Sequence, residues 1–135
     1  MTDPNANATL DLDAYEDSAT GELRIKDPVT GAPTPMVVTL AGPEHPERKR
    51  LVFARQRRLR ATLAKTGKVP VSDPEEDEAE ELDTLVACTL GWAGASEAFS
   101  RDAVRRLYAK KRWLRDQVAA ALQERELFIR ACVQA

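Results

Sequence analysis

Histidine and cysteine are scarce in this sequence of 135 residues. Its one histidine, His45, and its two cysteines, Cys88 and Cys132, do not make a convincing set of zinc ligands. The cysteines are too few and too far apart for a disulfide framework, and both lie in apolar helical contexts where a free thiol packs as a small hydrophobe. We therefore expect no structural metal, no disulfide framework and no cofactor.

Long apolar runs and catalytic motifs are also missing. No stretch of about 18 apolar residues could span a membrane, and the acidic N-terminus "MTDPNANATLDLDAYED" is unlike a signal peptide. The sequence contains no G-x-S-x-G, no H-x-x-x-H and no Cys–His pair with a plausible role. The stretch "GWAGAS" lacks the Lys-Ser/Thr of a phosphate loop. We therefore expect a cytosolic protein that is not an enzyme and does not bind a membrane.

The charges nearly balance overall but are separated along the chain. The formal net charge is −2. Residues 1–22 carry six acids and no base, and residues 73–83 carry eight acids and no base. Residues 44–70 carry nine bases and two acids, and residues 101–116 carry seven bases and two acids. Blocks of alternating sign can pair within one chain or with a partner.

The N-terminal part divides into an arm and a hairpin. Residues 1–20 lack periodicity and are rich in Asp, Asn, Ala and Thr, so we expect a disordered acidic arm. Residues 22–42 alternate apolar and polar side chains on both sides of "DPVTGAP", which indicates a β-hairpin. A lone hairpin is marginal in water, so this one must pack on a helix or on a second copy of the chain. We place a single folded domain at residues 21–135, with its helical part at residues 44–135.

The remaining sequence has the apolar spacing of helices. A first helix is predicted from about residue 46 to 66, with its stop at Gly67. A second begins at Ser72, three residues before Glu75 as in a capping box, and ends at the glycines of "GWAG". Ser100 can cap a third helix, "RDAVRRLYAKK", and a fourth, "RWLRDQVAAALQERELFIRACV", follows almost directly. Because no Pro or Gly separates them, the last two can also form one bent helix.

These elements predict a mainly α fold. Three to four helices form a small bundle, with the β-hairpin and the disordered acidic arm at the N-terminus. Large side chains are few, with three Phe, two Trp and two Tyr, so we expect a slim assembly.

The stretch "RKRLVFARQRRLR" at residues 48–60 has the densest positive charge. Its basic residues, called here the basic face, are Arg48, Lys49, Arg50, Arg55, Arg57, Arg58 and Arg60. Arginines along one helix can contact the phosphates of a nucleic acid. No helix-turn-helix spacing, RNA-binding aromatic motif or zinc finger accompanies them. The alternative is a solvated face that meets acidic protein, and the acidic block at 73–83 can fold back antiparallel on it.

An ordered set of short motifs runs through the chain. A Leu-rich helix leads to "GW" at 91–92, "FS" at 99–100, "AVRRLYAKKRWLRDQV" at 103–118 and a late Phe128. Upstream, "DPVTGAP" is followed by "VTLAGPEHPERKR". This order resembles the tail assembly chaperones of long-tailed phages over about residues 22–130. The residues at matching positions, which the resemblance marks as core or partner contacts, are Trp92, Phe99, Leu107, Tyr108, Trp113, Leu114, Gln117, Val118 and Phe128.

The resemblance implies a function that needs no catalytic site. Chaperones of this family bind the tape measure protein, keep it soluble until tail-tube subunits polymerise around it, and then leave. For this chain the resemblance implies a prophage or phage protein of the bacterial host cytoplasm that is not expected in the mature virion. Further candidate partners are the tail tube protein and a longer frameshifted form of the chain, and a homo-oligomer is an open alternative to a monomer.

Two other functions stay open at this point. The first is a nucleic-acid-binding accessory protein that uses Arg48, Arg55, Arg57, Arg58 and Arg60, for which steep salt dependence of binding would be the mark. The second is a minor structural protein of the tail or the head–tail joint, which would be found in purified mature particles.

Overall fold

The computed structural model describes residues 8–131. Its helices are α1 (Pro46–Thr66), α2 (Pro74–Cys88), α3 (Arg101–Lys110) and α4 (Arg112–Leu122). Its strands are β1 (Tyr15–Asp17), β2 (Thr20–Lys26), β3 (Pro33–Ala41), β4 (Thr89–Ala93) and β5 (Ile129–Ala131). Short 3-10 turns at Leu12–Ala14 and Arg125–Phe128 precede β1 and β5.

The strands make two antiparallel sheets. In one, β2, β3 and β4 lie side by side in that order, and in the other β1 pairs with β5. The prediction of a mainly α bundle with one hairpin is therefore wrong, because the described part of the chain is a mixed α/β fold. The hairpin itself is confirmed as β2 and β3, joined by a loop in which the Asp27 carboxylate accepts backbone N–H groups from Val29 at 2.8 Å and Thr30 at 3.0 Å. Those hydrogen bonds lower the pKa of Asp27.

Strand β4 replaces what the sequence predicted to be the end of a helix and a turn. The helical spacing of Leu85, Val86 and Leu90 continues past Cys88 without a helix-breaking residue, so periodicity alone extends the helix. The edge of β3 instead pairs with this segment, placing Val38 opposite Trp92. Backbone hydrogen bonds to a neighbouring strand satisfy the same groups as further helical turns, so the tertiary contact decides between them.

The last predicted helix is also shorter than expected. Helix α4 ends at Leu122, and the chain turns through the 3-10 segment to place the ring of Phe128 in the interior. A Cβ added to Gly21 or Gly42 would lie 2.8 Å from that ring, so glycine is needed at both positions. The prediction that helix four continues from residue 112 to residue 133 is therefore wrong for the described residues after Leu122.

Strand β5 then pairs with β1, which lies inside the segment predicted to be a disordered arm. Tyr15–Asp17 is thus a strand, and the expectation of disorder is wrong for these residues. The rest of that expectation for residues 1–7, and the helical context predicted for Cys132, lie outside the described residues.

The helix boundaries that depend on capping residues are mostly as predicted. Helix α1 begins after His45, whose Nδ1 accepts the Glu47 N–H at 3.2 Å, and ends at Gly67, which has a φ of 69°. Helix α3 begins at Ser100, whose hydroxyl accepts the Ala103 N–H at 3.0 Å. The capping box predicted at Ser72 is wrong, because the N-cap residue of α2 is Asp73.

Helices α3 and α4 are separate. Lys111 between them has φ −107° and ψ 86°, which interrupts the helical backbone.

The core lies between the three-stranded sheet and helices α2, α3 and α4. It contains Ile25, Val38 and Leu40 from the sheet, Leu85 and Cys88 from α2, Val104 and Tyr108 from α3, and Leu114, Val118 and Leu122 from α4. Helix α1 contributes no buried residue, and only Leu51 packs against this core in part. Among residues 8–131, no helix combines the length and the apolarity needed to cross a membrane.

Candidate protein-docking surface

Most side chains marked by the resemblance belong to the core. Tyr108, Leu114, Val118 and Phe128 are buried. Trp92, Phe99 and Leu107 are half-buried and pack against the core. The rings of Trp92 and Phe99 meet edge to face with their centroids 5.3 Å apart, and the Trp92 indole donates to the Glu97 carbonyl at 2.9 Å. These seven residues therefore hold the fold together and do not form an accessible surface.

The two remaining marked residues lie near the surface. The Gln117 side chain accepts the Lys26 N–H and donates to the Lys26 carbonyl, both at 2.9 Å. It therefore satisfies the backbone groups of the last residue of β2, as a neighbouring strand would. Trp113 is 39% exposed and is the one exposed large apolar side chain among the nine. The nine residues thus include one exposed large apolar side chain, Trp113, and do not line a common groove.

On the basic face, Arg48 has a structural role. Its guanidinium donates to the Ala41 carbonyl at 3.1 Å and to the Leu122 carbonyl at 2.8 Å. It also lies 5.7 Å from the centre of the Phe128 ring, within the range of a cation–π contact. Arg48 therefore fastens the first turn of α1 to β3, α4 and the Phe128 segment.

Four other members of the basic face have carboxylate partners. Lys49 pairs with Glu44 at 2.7 Å, and Arg50 pairs with Glu47 at 2.9 Å, which lowers the pKa of Glu47. Arg55 and Arg58 share Glu80 of α2, at 3.7 and 3.3 Å. Arg57 and Arg60 form no ion pair within residues 8–131. The face is therefore not a continuous row of free cations.

The acidic helix α2 divides its partners between two basic segments. Glu80 faces α1, as the predicted fold-back requires. Glu78, Glu81 and Asp83 instead pair with arginines of α3 and α4, namely Arg105, Arg112 and Arg115. Helix α2 thus lies between two basic surfaces.

An exposed apolar stripe runs along α1. Val52, Leu59 and Leu63, at positions i, i+7 and i+11, are 47%, 42% and 47% exposed, and Phe53 beside them is 50% exposed. We call Val52, Leu59 and Leu63 the α1 stripe. The sequence identifies these three as the apolar side of the helix, and within residues 8–131 almost half of each residue stays exposed. The one sequence feature that indicates this exposure is the small number of apolar residues among the arginines of α1.

An open cleft of about 560 Å³ lies between α1, α2 and α4, and reaches Arg55, Glu80, Thr84 and Cys88 but none of the three stripe residues. Burial raises the pKa of the Cys88 thiol, so the reactive thiolate is disfavoured near neutral pH. Among the described residues, no group of three or more His, Cys, Asp or Glu side chains is placed to hold a metal ion. The surface along α1 therefore combines exposed apolar side chains with charged ones.

Comparison with known proteins adds no relative: no family model, curated protein or solved structure matches the chain. The resemblance to tail assembly chaperones stays a prediction made from the motifs.

Proposed function

We propose that this chain is a phage tail assembly chaperone that binds the tape measure protein and keeps it soluble while tail-tube subunits polymerise around it. The observation that carries the proposal is the α1 stripe. Helix α1 has 21 residues, none of them buried, and the rest of the fold completes its core without it. A long helix with an uncovered apolar side is suited to hold an apolar helical client, since amphipathic helices commonly dock in such grooves.

The charges around the stripe support a binding role. The basic helix α1 lies beside the acidic helix α2, and such charges keep an apolar surface soluble and speed encounter with a complementary partner. The proposal assigns no catalytic step to the chain. It places the protein in the bacterial host cytoplasm and outside the mature virion.

Co-expression with fragments of the tape measure protein tests this function. We expect at least one fragment to co-purify with the chain at about 0.5 M salt, where simple attraction between exposed charges is largely screened. The matched control is an unrelated fragment of the same length and net charge. Failure of every tape measure fragment to co-purify would contradict the proposal.

Two further observations separate the rival functions. If the chain instead retains nucleic acid at low salt and releases it steeply as salt rises, Arg57 and Arg60 would be the first candidates for phosphate contacts. Detection of the chain in purified mature particles would favour a structural tail protein.

A further inference from the structure

We propose that the α1 stripe is the docking site for one amphipathic helix of a partner protein, and that carboxylates flank the apolar edge of that helix. This inference deepens the proposed function, since it names the surface and the chemistry of the client segment. It rests on the proposed function only for the identity of the partner.

The spacing of the stripe fits another helix. Val52, Leu59 and Leu63 are separated by seven and four residues, which is the d, d, a pattern of a coiled-coil seam. The other two seam positions up to residue 66 are Gln56, at a, and Thr66, at d. From residue 52 to residue 66 the seam is roughly 20 Å long, at about 1.5 Å per residue. A partner helix of about four turns would cover it.

The charge beside the seam sets the sign of the partner. Helix α1 carries eight basic residues and one acidic residue. In the same heptad frame Arg60, which forms no ion pair within residues 8–131, lies on one flank of the seam. Arg55 on the other flank is 3.7 Å from Glu80 of α2, so Arg60 and the net positive charge of α1 set the preference. Coiled-coil pairs select partners through charges at these flanking positions, so the arrangement favours Asp or Glu on the incoming helix.

Three other occupants fit the stripe less well. A second copy of α1 would bring two strongly basic helices together, and like charges repel at this range. A lipid surface calls for a broad apolar face, whereas the seam is a narrow line between arginines. A nucleic acid would gain nothing from the apolar centre of the seam.

Two designed peptides provide the direct test with the full-length chain. Each has three heptads with Leu at the a and d positions, and the flanking e and g positions are all Glu in one and all Lys in the other. Like charges on its own flanks keep each peptide from pairing with itself. At about 0.15 M salt we expect the Glu peptide to bind at least about tenfold more tightly than the Lys peptide, measured by fluorescence anisotropy.

Substitutions in the stripe test its place in the contact. Leu59→Ser with Leu63→Ser should weaken binding of the Glu peptide at least about tenfold, because two leucines lose their burial on binding. The matched control is Leu10→Ser with Leu12→Ser, a pair that is 68% and 78% exposed and lies outside α1. That control should bind as the wild type does. Thermal unfolding of both variants checks that they fold.

Charge reversals provide a second matched pair. Arg60→Glu, beside the seam, should weaken binding of the Glu peptide about twofold to fivefold, as loss of an exposed ion pair and added repulsion predict. Arg57→Glu makes the same change farther round the helix and should leave binding unchanged.

Several outcomes would overturn the inference. These are equal binding of the two peptides, no binding of either, unchanged binding by the Leu59/Leu63 variant, or preferential binding to anionic lipid vesicles or DNA that the same variant loses. The function and the site can fail separately. Peptide binding without tape measure co-purification contradicts the proposed function alone. Tape measure co-purification that the Leu59/Leu63 variant retains contradicts the docking site alone.

Discussion

Two arginine-rich regions of this chain have opposite structural roles. In α3 and α4, Arg105, Arg112 and Arg115 contact acids of α2, and the apolar sides of both helices are buried. In α1 the arginines beyond the first turns are exposed, and so is the apolar stripe between them. Composition is similar in the two regions, but α3 and α4 gather their apolar side chains on one side far more strongly than α1 does, and that side packs on α2 and the sheet.

Arg115 shows the difference most clearly. Its side chain is 6% exposed, reaches Glu78 at 3.3 Å and Glu81 at 3.6 Å, and donates to the Glu78 carbonyl at 3.4 Å. An arginine stem can pack as apolar surface while its head binds carboxylates. Arg58 of α1 makes one contact with Glu80 and is 70% exposed. A basic residue therefore stabilises the fold here only where its stem is covered.

Truncating one leucine in each region should give the largest difference in the free energy of unfolding between the two regions. Leu114→Ala in α4 should lower the free energy of unfolding by about 2–5 kcal/mol, because the side chain is buried and its removal leaves a cavity. Leu59→Ala in α1 should change it by less than about 0.5 kcal/mol, as is usual for surface sites. Urea unfolding of both variants measures this, and equal losses would mean that α1 is part of the core.

Alkaline pH should destabilise the core around Tyr108. Burial raises the pKa of Tyr108 to about 12. Since an exposed tyrosine titrates near 10, the folded state holds this proton more tightly, and the stabilisation is complete below about pH 10. It should disappear by about pH 12, with a loss of about 2–3 kcal/mol.

The Tyr108→Phe variant is the control for this titration. Thr89 Oγ1 donates to the Leu85 carbonyl at 2.8 Å, so the Tyr108 hydroxyl is the donor in its own 2.8 Å contact with Thr89. The variant should lose about 1 kcal/mol near neutral pH and then unfold with a flatter dependence between pH 10 and 12. Identical pH profiles for the two proteins would contradict the assignment.

Removal of one arginine from each region should have a smaller effect. Arg115→Ala should reduce the free energy of unfolding by about 1–3 kcal/mol, since the variant loses the packing of the stem and the contacts of the head. Glu78 and Glu81 are each 55% exposed, so water can solvate the acids left behind. Arg58→Ala should change stability by less than about 0.5 kcal/mol. Equal effects would show that burial of the stem is not what matters.

A local change at the end of α1 should have the weakest effect. Gly67 ends the helix with a φ of 69°, which an alanine adopts only at a cost of roughly 1 kcal/mol. A Cβ there would meet no atom within 4 Å, so the effect is conformational and not steric. We expect Gly67→Ala to fray the end of α1, seen as lost helical circular dichroism, with little change in cooperative unfolding. A large fall in the melting temperature would contradict this.

The sequence predicts the elements that local chemistry controls. His45 and Gly67 bound α1, Ser100 starts α3, and alternating apolar residues mark the β2–β3 hairpin. These features depend on residues within a few positions of each other, so pattern and capping rules identify them.

The elements that the sequence misses depend on distant contacts. The helical spacing around Leu90 gives no sign that β3 will draw the segment into a sheet. Nothing local reveals that Phe128 fits above Gly21 and Gly42, which are far away in sequence. The spacing of Val52, Leu59 and Leu63 marks an apolar side of α1, but it does not reveal that this side stays exposed, because whether an apolar face is covered depends on what else folds against it.

Phe128 also sets when the fold can be completed. On the ribosome the β2–β3 hairpin can pair early, since its contacts are local, and chains generally fold from the N-terminus as they are made. Residues 128–131 emerge late, and they supply both the ring that packs on Gly21 and Gly42 and the strand that pairs with Tyr15–Asp17. A nascent or shortened polypeptide that lacks these residues therefore leaves Gly21, Gly42 and Tyr15–Asp17 uncovered and more accessible to proteases.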